Sequence, residues 1–102
     1  MDKQELLFKT VFCCMACDGV IDADEIQFMK DITEKLPVFE NAQFPVKETL
    51  NRYVSSLNKL HHAFMEEYLE EIKQTDLTVE DCLWIVKLAI QTIEANNVIE
   101  YS

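Results

Sequence analysis

Apolar residues recur along this chain at the three-and-four spacing of helices, and five segments carry that period. The first runs from about Lys3 to Cys17, where Leu6, Leu7, Val11, Cys14 and Met15 keep one face and Phe8 and Phe12 widen it. A helix apolar over so much of its circumference belongs near the middle of a bundle. Asp18-Gly19 ends it, and a second helix starts at Asp22 with Ile26, Phe28, Met29, Ile32 and Leu36 facing inward. The stretch PVFENAQFP, Pro37 to Pro45, reads as a loop closed by proline at both ends, with Phe39 and Phe44 tucked against the core.

The third segment carries Val46, Leu50, Tyr53, Val54 and Leu57. The fourth carries Leu60, Phe64, Tyr68, Leu69 and Ile72, opposite an acidic face of Glu66, Glu67, Glu70 and Glu71. The periodicity fits two separate helices or one with a bend near Ser55-Ser56. Thr78 is a good N-cap for a fifth helix, and Glu80 and Asp81 suit the positive end of its dipole. From Cys82 to Ile93 the chain is almost wholly apolar, which predicts a second central helix. The predicted fold class is therefore all-α, a bundle of about five to six helices in a single domain over residues 1–102.

Composition agrees. One Gly and two Pro leave little turn material for a strand-rich fold, and 49% hydrophobic with 27% charged residues marks a globular chain. Nineteen acids against nine Lys and Arg give a net charge of −10. Such a surface repels phosphate and disfavours nucleic acid and anionic membrane, whereas cations and basic proteins or peptides suit it. The same acidity also keeps a domain soluble without any partner. No apolar run approaches a membrane span of about 20 residues, and no signal-type segment follows Met1, so a cytoplasmic location is expected. Cys13, Cys14, Cys17 and Cys82 fit a reducing compartment. Homo-oligomerisation is left open.

A repeat is legible at a shift of 78 positions, where CDGVID (17–22) lies on ANNVIE (95–100). Val20 meets Val98, Ile21 meets Ile99 and Asp22 meets Glu100, with Gly19 and Asn97 sharing the place in the turn that favours a left-handed residue. The repeat predicts two pseudo-twofold-related corners, each an apolar helix, a tight turn and an acidic helix start. Because Ser102 falls where the second corner would open a new helix, a natural chain extending further is an expectation of this reading.

CDGVIDADE, Cys17 to Glu25, also carries candidate chemistry. Asp18, Gly19, Ile21, Asp22 and Glu25 match the back half of an EF-hand loop, but its first ligand positions would fall on Cys14 and Ala16, which cannot serve calcium. Two readings survive. Asp22 and Glu25 form a capping box behind an Asp-Gly turn, or the four acids Asp18, Asp22, Asp24 and Glu25 hold a hard divalent cation that relieves their repulsion.

The motif MACDGVIDADE, its degraded partner IEANNVIE and the TVED-type helix start before the second resemble the TerB-like (tellurite-resistance TerB) family over most of the chain. The resemblance implies an all-α bundle with internal pseudo-symmetry and a divalent-cation site, calcium, magnesium or manganese, with Asp18, Asp22 and Glu25 as ligands. Asn96 and Asn97 stand where the family prefers Asp-Gly, so a second site would draw on Glu94 and Glu100. It further implies a non-enzymatic module tied to tellurite and stress responses that works within larger protein assemblies.

The remaining candidates have plainer readings. Cys14-Met15-Ala16-Cys17 is formally a CxxC, but a helix C-terminal end does not stabilise thiolate. As zinc ligands these cysteines would recruit His61, His62 or Cys82, and as core residues they need nothing. His61 and His62 are adjacent, so their rings diverge by about 100° on a helix, one packing and the other solvated. Tyr53, Tyr68 and Trp84 fall at core spacing.

Overall fold

The computed structural model describes residues 3–16, 21–40 and 44–101, with residues 95–101 described through their backbone alone. Among the described residues, five α-helices and one 3-10 turn make up the order α1 (Lys3–Ala16), α2 (Ala23–Lys35), η1 (Pro37–Phe39), α3 (Val46–Lys59), α4 (His61–Gln74) and α5 (Val79–Tyr101). No strand occurs among the described residues, so the chain is all-helical.

The first helix is the hub, as its wide apolar arc predicts. Leu6, Phe8, Val11, Phe12, Met15 and Ala16 are fully buried, and α2, α4 and α5 pack around them. Aromatic rings fill the space between α1, α3 and α4. Phe12 lies 5.4 Å from both Tyr53 and Phe64, Tyr53 and Phe64 lie 5.7 Å apart, and Phe8 lies 5.3 Å from Phe44. Such pairs add about 0.5–1.5 kcal/mol each to the burial of the rings themselves. The loop prolines do their predicted work: Phe39 and Phe44 are both buried, and Gln4 Nε2 donates to the carbonyls of Val38 and Glu40, tying the loop to α1.

Helices α3 and α4 are separate, and the break falls at Leu60 rather than near Ser55-Ser56. Leu60 alone leaves helical geometry, with φ −147° and ψ 84°, and its side chain is exposed although the spacing places it inward. In one straight helix, Tyr53 and Phe64 would be separated by about 16 Å along the axis. The corner brings both rings onto Phe12 instead.

The fifth helix departs from expectation twice. It is peripheral, not central: among its described side chains only Leu88 and Thr92 are buried, and Trp84 and Ile85 are partly so. It also runs unbroken through Asn96 and Asn97, where the repeat places a tight turn, so the pseudo-twofold repeat is not shown; the turn of the first corner lies outside the described residues. Asn costs an established helix well under 1 kcal/mol per residue, and Val98 to Tyr101 contain no Gly or Pro to stop propagation.

Candidate functional site

Caps define both acidic helix starts. At α2, Glu25 N donates to Asp22 Oδ1 at 2.9 Å and Asp22 N donates to Glu25 Oε1 at 3.1 Å, a complete capping box. Glu25 is buried and Asp24 exposed. At α5 the same reciprocity joins Thr78 and Asp81: Asp81 N donates to Thr78 Oγ1 at 3.1 Å, and Thr78 N donates to Asp81 Oδ2 at 3.0 Å. Lys3 Nζ lies 2.8 Å from the same carboxylate, and that contact, with the Thr78 amide, holds Asp81 below the usual carboxylate range.

Of the residues proposed to hold a cation, Asp22 and Glu25 share one helix start, and Asp24 lies beside them. Asp18 lies outside the described residues, as does the Glu100 side chain, and Glu94 is exposed on α5. Among the described residues no three His, Cys, Asp or Glu side chains converge where a metal ion could sit. The candidate zinc ligands are likewise not gathered among the described residues. Burial pushes the Cys13 thiol up to about 12, Cys82 is exposed on α5, and Cys17 is outside the described residues. His61 Nε2 meets the Ala16 carbonyl at 3.0 Å, helping to satisfy the C-terminal turn of α1, while His62 is solvated and 2.9 Å from Glu66.

A polar cluster escapes the sequence reading. Lys9, on the central helix, is buried, with its ammonium against Glu71 and 3.7 Å from Glu67. The same ammonium sits 4.7 Å from the Phe64 ring centre and 5.4 Å from that of Tyr53. Next to it, Glu5 accepts from the Tyr53 hydroxyl at 3.0 Å and from Arg52 at 3.2 Å. Deeper, Thr10 Oγ1 donates its one proton to the Leu6 carbonyl, which leaves the Tyr68 hydroxyl, 2.6 Å away, as donor to Thr10 Oγ1. Burial pushes the Tyr68 phenol up to about 12 and raises that of Tyr53 further, with the Glu5 charge adding to the latter. The cleft lined by Glu5, Lys9, Arg52, Tyr53, Phe64 and Glu71 holds about 160 Å³. Its cations face anions, which is the chemistry of an internal ion-pair network.

That network also changes the acidic face read on α4. Glu71 turns in toward Lys9 and Glu67 lies beside the same ammonium while staying largely in solvent, so Glu66, Glu67 and Glu70 remain exposed, with Leu69 among them.

Among the described residues, α5 exposes a run of large apolar side chains. Val79 is 79% exposed, and Leu83, Val86, Ile90 and Ile93 are between 50% and 55% exposed. Their steps of four, three, four and three residues form one stripe, opposite the side that packs on α1. Where the stripe reaches Ile93 it opens into a groove of about 330 Å³, walled by Met65, Tyr68 and Leu69 of α4 and floored by Cys13 and Cys14 of α1. The groove exists because α4 and α5 both pack on α1. A near-continuous apolar run was the available signal for this stripe, but it reads equally as a buried helix.

No family model matches the chain, and neither a curated protein nor a solved structure matches it.

Proposed function

We propose that this chain is a non-enzymatic helical interaction module that docks a protein partner on the apolar stripe of α5 and the groove beside it. The supporting observation is the stripe itself. Five branched side chains at heptad spacing expose roughly 500 Å² of apolar surface, at the upper end of what a monomer leaves in water. A photo-crosslinking amino acid at position 90 in the intact chain, in the cell, tests this, with exposed Asn51 on α3 as control. Adducts at position 90 that are absent at position 51 and lost on Leu83→Asp are expected. Equal or absent adducts at the two positions would refute the docking face.

The resemblance to the TerB-like family adds a second reading, a divalent cation held at Asp18, Asp22 and Glu25 in a module of tellurite and stress responses. Its support is that Asp22 and Glu25 bring two carboxyl groups to one helix start. The capping box gives both residues a structural role that needs no ion. Calorimetry with calcium, magnesium and manganese discriminates: binding heat abolished by Asp18→Ala supports the ion, and no heat with any of the three removes it.

A further inference from the structure

Resting on the docking face just proposed, we infer that its occupant is an amphipathic helix of about four turns with basic flanks, lying along α5 and ending in the α4–α5 groove. Length, period and charge each support this choice.

The stripe from Val79 to Ile93 is about 21 Å long, the rise of some fourteen helical residues. A four-three spacing presents successive knobs to a partner of the same helical period, whereas a strand, with its period of two, would lose register within one turn. At roughly 500 Å² on this side, a helix covering the stripe and Leu69 brings the total buried area to about 1,200 Å², the lower bound of a specific interface.

Charge decides between a helix of foreign sequence and a second copy of this chain. The stripe is flanked on α5 by exposed Glu80 and Glu94, and the outer wall of the groove continues into exposed Glu66 and Glu70. Two lysines lie nearby, Lys73 and Lys87, and the Lys87 ammonium is drawn to 5.3 Å from the Trp84 ring centre. Four carboxylates against two ammonium groups leave an acidic rim on a chain of net charge −10. A helix with Lys or Arg beside its apolar seam would meet opposite charge along this rim. A second copy would bring its own acidic rim and its own −10, which raises the repulsion at low salt.

The test uses the full 102-residue chain and two synthetic fifteen-residue helices that share leucines at heptad spacing and differ in carrying Lys or Glu at the flanking positions. Fluorescence anisotropy should show the Lys helix binding about tenfold more tightly than the Glu helix at low salt, the gap closing as salt rises. Ile90→Asp should weaken the Lys helix by about tenfold or more with the helical circular dichroism unchanged, because Ile90 is half exposed and contributes little to the core. Glu94→Lys should lower affinity for the Lys helix and raise it for the Glu helix. Equal affinity for the two helices, or indifference to Ile90→Asp, overturns the inference. Analytical ultracentrifugation tests the other occupant: a dimer at micromolar concentration, dissolved by Leu83→Asp, makes a second copy the one that covers the stripe. That outcome refutes the basic helix while leaving the docking face standing. Absence of binding, dimerisation and position-90 adducts together removes both.

Discussion

Lys9 offers the sharpest test of how this fold is held together. Its side chain is 4% exposed, that of Glu71 is 20% exposed, and that of Glu67 is 69% exposed. Replacing Glu71 with Gln keeps the shape and removes the nearest anion, stranding an ammonium between Phe64 and Tyr53. Breaking a buried pair in this way costs about 3–5 kcal/mol, because the remaining charge stays desolvated. Glu67 softens the loss, but a largely solvated carboxylate at 3.7 Å returns only about 1 kcal/mol or less. The expected destabilisation is therefore about 3 kcal/mol, or roughly 12–20 °C in melting temperature for a domain of this size. Lys9→Met should cost less, about 1–2 kcal/mol, since Glu71 can turn to water. The pair of changes, Lys9→Met with Glu71→Leu, replaces the ions with apolar volume and should return to within about 1 kcal/mol of the parent. Urea unfolding followed by circular dichroism measures all four proteins, with stability read from midpoints at constant slope. Two results would contradict a buried, mutually dependent ion pair: Glu71→Gln within about 0.5 kcal/mol of the parent, or a double variant less stable than either single variant.

Three further outcomes follow from the same contacts. Phe12→Ala, at the centre of the aromatic cluster, should destabilise by about 3–5 kcal/mol, whereas Ile90→Ala on the exposed stripe should cost less than about 1 kcal/mol; comparable losses in urea would contradict the placement of α5 at the periphery. Asp81 has its folded carboxyl below its ordinary value, so its stabilising effect is complete above that value and is lost as pH falls through the lowered one. Between about pH 5 and pH 2 the parent melting temperature should therefore drop more than that of Asp81→Asn, and parallel slopes would exclude the Lys3–Asp81–Thr78 contact as a contributor. Thiol labelling near neutral pH, mapped by mass spectrometry, should modify exposed Cys82 well before Cys13, whose thiol burial keeps protonated; the reverse order would contradict the core packing of α1.

Helix existence and both caps were legible in the residues, because each depends on neighbours within four or five positions, and the loop phenylalanines were legible as large apolar side chains held between two prolines. Asp22 with Glu25, and Thr78 with Asp81, are separated by one helical turn, so a local pattern contains the whole interaction. The acidic turn was legible as a cap for the same reason. Its use as a cation site depends on how Asp18 is oriented, and no local pattern specifies that.

The repeat shows the opposite limit. Asn97 tolerates a left-handed turn, but tolerance is not instruction, and a helix already nucleated through Ile93 extends across it. Only Gly19, in the first corner, combines a sharp loss of helix propensity with a following cap at Asp22.

The residue pattern was sufficient for an acidic all-helical chain and for where its helices begin, but it marked both α1 and α5 as central and only α1 is. Three features arose only when the helices packed. The corner at Leu60 bends α3 from α4 so that two rings eleven positions apart meet on Phe12, and Lys9 is buried against carboxylates on another helix. Packing also left α5 on the outside with half its apolar circumference in water. An apolar run states only that a helix prefers to be covered. Which sides are covered depends on how many neighbours reach it, and around α5 the bundle covers one side and leaves the other facing solvent.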